Sequence, residues 1–301
     1  GEASLANVAG LKLDLSSSPR LNRPALSVFA GNTAEDSYRF TQSGSISVDG
    51  LTSKIASDQS YRDRLVFLKK LGSGASGIVY LALDLESLSL VAVKIINIFD
   101  RAKRRQMVHE LAALGEVSEG ESHPNIVGFV DAFGNVDDAT VGLIMEYMDG
   151  GSLEDIVQAG GCENEGVLAS ISRQMLGGVR FLHTECKQLH RDIKPANVLI
   201  NRDGDVKISD FGIARNMGGE EEENERASAA AGEAAKTFVG TLTFMSPERI
   251  NGGSYGFASD VWSLGLTILT TALGKIPLET EGGYWSVMAC VREEEAPALP
   301  A

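Results

Sequence analysis

The chain has 301 residues, 43% of them hydrophobic, enough to bury a substantial core in one large two-lobed domain plus a tail. Lys and Arg number 27 against 41 Asp and Glu, and the net charge of −14 argues against general nucleic-acid binding and against adhesion to an anionic membrane. The three cysteines, Cys162, Cys186 and Cys290, are widely spaced and lack metal-ligand partners, which reads as reduced thiols in a cytoplasmic protein.

The opening Gly1-Glu2 is not followed by a basic region and an apolar run, so no secretory signal is read there, and the absence of a methionine reads as a fragment. Residues 1–64 are rich in Ser, Gly, Asn and Asp without a sustained period, which predicts an extended or partly disordered regulatory tail before a domain over 65–301. VFLKKL and IVYLALD flank the glycine-rich GSGASG, and both are dense in the residues that two strands of a hairpin require. A Rossmann or Walker loop leads instead from a strand into a helix, and no Gly-Lys-Ser/Thr occurs here. Residues 90–98, LVAVKIINI, read as a third strand carrying one conspicuous lysine, Lys94.

Residues 100–117 read as a helix with Met107, Leu111 and Leu114 on one face and Glu110 at its edge. Glu116 points nearly opposite Met107, so Glu110 is the better partner for a core-facing lysine. Strands are expected at 126–133 and 141–147, and Ser152 with Asp155 forms the capping box of a short helix that closes the first lobe. From Val167, the spacing of Leu168, Ile171, Met175, Val179 and Leu182 predicts one helix. Gly177 and Gly178 inside it cost about 1 kcal/mol each relative to alanine, which implies that something packs closely against them.

Residues 210–248 have almost no apolar period and include an acidic run at 220–225, which predicts a long mobile loop. Ser259 and Asp260 are expected to cap a helix over 261–274. Interrupted by Ser263, Thr267, Thr270 and Thr271, that stretch falls short of the roughly 20 residues that span a bilayer and reads as a core helix. A last helix is expected around 285–292.

Chemistry concentrates in LHRDIKPANVLI, residues 189–200, which holds Asp192, Lys194 and Asn197, and in the SDFG that contains Asp210. Phosphoryl transfer from a magnesium nucleotide needs a group that orients the attacking hydroxyl, oxygen ligands for the metal and positive charge on the moving phosphate. Asp192 suits the first task, Asn197 and Asp210 the second and Lys194 the third. In GSGASG, Gly72, Gly74 and Gly77 lack Cβ atoms, so backbone amides can approach phosphates, with Leu71, Ser73, Ala75 and Ser76 completing the loop and Val79 covering the purine. Lys94 would hold the α- and β-phosphates and be held by Glu110. His190 and Phe211 read as packing residues, and His109, His123 and His183 share no metal-ligand spacing.

Taken in order, the glycine loop, Lys94, Glu110, His190-Arg191-Asp192, Asn197, Asp210-Phe211-Gly212 and Ser246-Pro247-Glu248 make residues from about 65 to 301 resemble a eukaryotic protein kinase. Within it, IMEYMDGGSLEDI, HRDIKPANVLI and FVGTLTFMSPERING resemble the MAP kinase kinases, and the tail stretch FTQSGS is similar to plant-type and protist members. The resemblance implies an α+β bilobal fold, with a small antiparallel N-lobe sheet bearing one helix and a larger helical C-lobe that here ends early. It implies ATP and Mg²⁺ as cofactors, an upstream activating kinase, and transfer to Thr and Tyr in the activation loop of a MAP kinase. Met145 would line the back of the ATP pocket, with Glu146 and Met148 offering backbone hydrogen bonds to adenine. A pseudokinase or scaffold, and a kinase of a neighbouring family such as a MAP kinase kinase kinase, are the competing readings.

Thr237 fits one activation-loop phosphosite of that family, but Glu233 stands four positions before it. Glu233 either imitates a phosphate or is an ordinary loop glutamate, and Ser228 is a rival second acceptor. Phe244 replaces a usual tyrosine, and only Lys275 and Arg292 are basic after Asp260, which predicts a Glu248 carboxylate buried without its arginine. In the tail, Arg20, Arg23, Leu26 and Val28 form either a docking peptide for a MAP kinase or an incidental basic patch.

Overall fold

A computed structural model describes residues 6–8, 11–14, 25–29, 37–41, 44–47, 61–74, 77–98, 123–135, 138–210, 243–252, 256–278, 284–293 and 296–299. The chain divides into two compact units, Gly1–Gly120 with Gly128–Tyr147, and Glu121–Val127 with Met148–Ala301. The first is built on antiparallel sheet and the second largely on helices, so the α+β expectation holds.

The described residues of the tail up to Ser47 are extended strands. Strands β1 (Ala6–Val8), β2 (Leu11–Asp14), β3 (Ala25–Phe29), β4 (Ser37–Thr41) and β5 (Gly44–Ser47) form an antiparallel meander in chain order. Its register aligns Leu13, Leu26 and Phe40 in one rank, and Leu11, Val28 and Tyr38 in another. Strands of three to five residues are too short to give a sustained period, and their alternation becomes legible only once the register is known.

The helical turn α1 (Tyr61–Arg64) leads into a second sheet: β6 (Leu65–Gly74), β7 (Gly77–Asp84), β8 (Ser89–Asn97), β9 (Phe129–Asn135) and β10 (Thr140–Glu146), in the order β6-β7-β8-β10-β9. The hairpin around GSGASG and the lysine-bearing strand are both present. Val91 and Val93 pack with Tyr61, Leu65, Ala82, Phe133 and Ile144 in the core on one face of β8. Successive residues of a strand face opposite sides, so Ala92, Lys94 and Ile96 lie on the other face, where they too are buried.

Arg64 reaches Asp84 with two nitrogens at 2.5 Å each and spans the Tyr61 ring at 4.9 Å, while the Tyr61 hydroxyl donates to Asp131 at 2.8 Å. The guanidinium, through those hydrogen bonds, holds the Asp84 carboxyl down at about 2 despite burial. α1 is thereby tied to the sheet by its side chains.

In the second unit come α2 (Leu153–Gln158), α3 (Glu165–Thr184), the short strands β11 (Val198–Ile200) and β12 (Val206–Ile208), α4 (Pro247–Ile250), α5 (Phe257–Leu273) and α6 (Tyr284–Glu293). α2 falls in this unit and does not close the first one, because the division lies between Tyr147 and Met148. At its start the Asp155 carboxylate accepts both the amide and the hydroxyl of Ser152. α3 begins two residues earlier than expected from Val167, capped by Asn164 accepting the Val167 amide at 3.1 Å. Its buried face is Ile171, Met175, Gly178, Val179 and Leu182, close to the predicted stripe.

The close packing at the two glycines is present. A Cβ on Gly178 would lie 2.7 Å from the Asn125 carbonyl oxygen, and one on Gly177 would lie 2.9 Å from the Asn125 Oδ1. α5 is a core helix whose Ser263, Thr267 and Thr271 hydroxyls donate to carbonyls one turn back, which is how its polar side chains tolerate burial. Among the described residues, no helix is long and apolar enough to cross a membrane.

Candidate active site

In the first unit the candidate residues are placed by strand register. Gly72 pairs with Val79, Val79 with Lys94, and Lys94 with Leu143, so the glycine loop, Val79 and Lys94 occupy one rank across β6, β7, β8 and β10. Lys94 is 2% exposed, which rules out the solvated edge lysine that its sequence position alone allows. Cβ atoms built on Gly72 or Gly74 would meet nothing within 4 Å, so the backbone there is open to an incoming group.

Gly77 needs its missing Cβ for a different reason from the one expected. A Cβ there would sit 2.4 Å from the Ile95 carbonyl oxygen, so the residue admits the neighbouring strand. Leu71 and Ser73 lie on β6, whereas Ala75 and Ser76 fall outside the described residues. Met145 and Glu146 end β10. The Glu146 amide donates to the Gly128 carbonyl at 2.8 Å and its carboxylate accepts the Gly128 amide at 3.1 Å. Met148 is buried at the start of the second unit.

In the second unit the residues lie on irregular backbone. The Lys194 ammonium pairs with Asp192 Oδ2 at 2.8 Å. Asn197 Nδ2 donates to the Asp192 carbonyl and to Asp192 Oδ2, both at 2.9 Å, so the amide nitrogen is committed to Asp192. The Asn197 carbonyl accepts both the amide and the hydroxyl of Ser209, at 2.9 and 3.1 Å, and so joins this segment to the one carrying Asp210. Asp210 itself has φ +60° and Arg191 φ +68°, left-handed backbone that costs on the order of 1–3 kcal/mol and persists only where neighbours impose it.

The neighbours are identifiable. Asp260 accepts the His190 amide on Oδ2 and the Arg191 amide on Oδ1, both at 2.8 Å, and the His183 ring nitrogen also lies 2.8 Å from its Oδ2. Burial works against the charged carboxylate, but the hydrogen bonds from His183 and the two amides prevail and hold its pKa below the usual range. His190 Nε2 lies 2.9 Å from the Ser209 carbonyl, and its Nδ1 accepts the Asp192 amide at 3.3 Å, which makes the ring a spacer between the two segments. It packs, as expected, at 1% exposure.

Two expectations are corrected here. Ser259 and Asp260 do not cap α5, whose N-cap is Gly256, because both side chains are drawn to partners outside the helix. Glu248 is not left without a partner: Ser259 Oγ donates to its Oε1 at 2.6 Å. Burial raises its pKa, yet that hydroxyl and its own backbone amide outweigh the effect and hold the carboxyl below the usual range.

Asp260, His183, Ser259 and Arg249, which donates from Nη1 to the Arg191 carbonyl at 2.6 Å, are the residues that sequence reasoning missed as parts of the site. Glu110, Phe211, Gly212, Ser228, Glu233, Thr237, Arg20 and Arg23 lie outside the described residues, while Leu26 and Val28 fall on β3.

Each unit by itself carries groups of the kind a magnesium nucleotide needs: the first an open glycine backbone and a buried lysine, the second hard oxygen donors beside a carboxylate–lysine pair. Residues 65–296 match the protein kinase domain, and the chain belongs to that family. Its curated relatives include mitogen-activated protein kinase kinase 3 of Arabidopsis thaliana, 40% identical over 76% of this chain and 42% of the relative. Mitogen-activated protein kinase kinase 2 of the same plant is 38% identical over 82% of this chain and 66% of the relative. The serine/threonine-protein kinase CST20 of Candida albicans is 41% identical over 72% of this chain and 16% of the relative. The chain thus spans between 16% and 66% of the length of these relatives.

Proposed function

We propose that this chain carries the catalytic machinery of a MAP kinase kinase, transferring the γ-phosphoryl of magnesium-ATP to Thr and Tyr of a MAP kinase activation loop. The observation that carries this reading is the Asp192–Lys194–Asn197 cluster, joined to Asp210 through Ser209. In it, Asp192 accepts or orients the substrate hydroxyl proton, and Lys194 leaves its resting partner to meet charge developing on the phosphoryl oxygens. Asn197 Oδ1 and the Asp210 carboxylate hold Mg²⁺, which when bound neutralises the phosphates. Lys94, held by Glu110, fixes the α- and β-phosphates, and the glycine loop covers them.

The names of the two plant relatives support a MAP kinase as substrate, and an upstream kinase would act on Thr237, with Ser228 as the second acceptor. Leu26 and Val28 are paired on both sides in the meander, so docking through Arg20, Arg23, Leu26 and Val28 requires β3 to leave its register.

The test is transfer of labelled phosphate from ATP to a kinase-dead MAP kinase, with phosphoamino acid analysis of the product. Wild type should label both Thr and Tyr, while Asp192→Ala and Asp210→Ala should not. The identity to a serine/threonine kinase favours a second reading, a kinase of a neighbouring family, which would label Ser or Thr alone and on other substrates. Tight nucleotide binding without any transfer would identify a pseudokinase.

A further inference from the structure

We propose that Arg249 is a positioning residue that fixes the peptide plane next to Asp192, an inference that rests on the reading of Asp192 as the residue facing the substrate hydroxyl. Arg191 takes φ +68° although it has a side chain, and a residue so strained relaxes unless its surroundings determine its conformation. With the preceding peptide held by Asp260, relaxing that φ turns the Arg191 carbonyl and the peptide after it about the N–Cα bond, which would swing the Asp192 carboxylate away.

Both edges of that peptide are occupied. Its carbonyl oxygen accepts from Arg249 Nη1 at 2.6 Å, and its amide donates to His190 Nδ1 at 3.3 Å. The peptide before it is held as well, its N–H donating to Asp260 Oδ1 at 2.8 Å. Of these contacts the guanidinium bond is the shortest, is charge-assisted and lies between residues that are 6% and 5% exposed, so water does not readily replace it.

Arg249 also lies on α4, one residue after Glu248, which is held to α5 by Ser259, and the Phe244 carbonyl is held by Ser263 Oγ at 2.7 Å. Residues 243–250 follow the stretch that carries Thr237, so a shift of α4 against α5 would withdraw the donor and release Asp192. The end of the loop is in this way wired to the catalytic aspartate through one guanidinium.

The test compares wild type, Arg249→Met, Arg249→Gln and Arg249→Lys by amide hydrogen exchange of residues 189–197 and by steady-state kinetics, with thermal melting as the check on folding. Exchange in that segment should rise about tenfold or more in Arg249→Met. The kcat should fall by about ten- to a hundredfold at unchanged KM for ATP, since a misplacement of about 1 Å costs on the order of 10². Arg249→Lys, which keeps a charged donor, should recover part of both. If Arg249→Met fails to fold, Arg249→Gln replaces it, with the same expectation. Unchanged exchange in the folded variant overturns the proposal whatever the activity, as does unchanged kcat. An inactive wild type whose exchange nonetheless responds to Arg249 overturns the kinase reading and leaves the brace standing.

Discussion

Lys94 and Asp192 are held by opposite strategies. Lys94 sits on a strand paired on both sides, so backbone hydrogen bonds set its place and its cross-strand neighbours Val79 and Leu143 come with the register. Asp192 sits on irregular backbone next to a left-handed residue, and side chains from α3, α4 and α5 hold that backbone in place. A ladder distributes the work over many equivalent bonds, whereas a braced loop concentrates it in a few. Substitution should therefore act locally around Lys94 and at long sequence range around Asp192.

The largest effect should come from Asp192→Ala, which on the kinase reading lowers kcat by about 10²–10⁴-fold while leaving the melting transition nearly unchanged. Steady-state kinetics beside a thermal melt checks this. A large loss of stability at wild-type kcat would assign Asp192 to the scaffold and erase the contrast.

That contrast also governs what the sequence disclosed. The strand carrying Lys94 was legible because β-branched and apolar residues surround one lysine, a local pattern, and Asp192, Lys194, Asn197 and Asp210 were legible as candidates because their types and spacing suit phosphoryl transfer. Their support was not. His183 and Asp260 are 77 positions apart, as are no residues within a helical or strand period, and a polar pair at 259–260 near the start of a helix looks locally like a cap. Arg249, 58 positions from the carbonyl it grips, gave no signal at all. In the tail the obstacle was length, since strands such as Ala6–Val8 are shorter than the windows in which a period can be counted.

A second test probes the rigidity of the first unit. Arg64→Ala removes the partner of the buried Asp84 and should destabilise the unit by roughly 3 kcal/mol, read as a drop in its melting transition. Acid should undo the same bond. Because the folded pKa of Asp84, about 2, lies below its unfolded value, the stabilisation is complete above about pH 4 and disappears as the pH falls toward 2. The shift corresponds to roughly 2 kcal/mol, and Asp84→Asn should flatten that part of the stability profile. Asp260 follows the same sign, so the braced loop should also loosen in acid. Chemical denaturation from pH 7 to pH 2.5 separates the two if the melts of the units are resolved, and an Asp84→Asn profile parallel to wild type would refute the assignment to Arg64.

The smallest effect offers the finest comparison, because it sets two adjacent glycines of one helix against each other. Each glycine forfeits about 1 kcal/mol of helix propensity, so Gly→Ala recovers that amount at either position. At Gly178 the new methyl would lie 2.7 Å from the backbone carbonyl of Asn125, which also accepts the Ile208 amide at 2.9 Å and cannot easily move. Overpacking against such a neighbour costs about 1–3 kcal/mol, so Gly178→Ala should be net destabilising by about 1 kcal/mol. At Gly177 the obstacle is the Asn125 Oδ1, the end of a side chain whose Nδ2 bonds to Gln174 and to the Val206 carbonyl, so it can shift a few tenths of an ångström at modest cost. Gly177→Ala should then be close to neutral by denaturant melting. Equal losses at both sites would mean that the side chain of Asn125 is as immovable as its backbone, and that the segment before β9 is braced as stiffly as the one that carries Asp192.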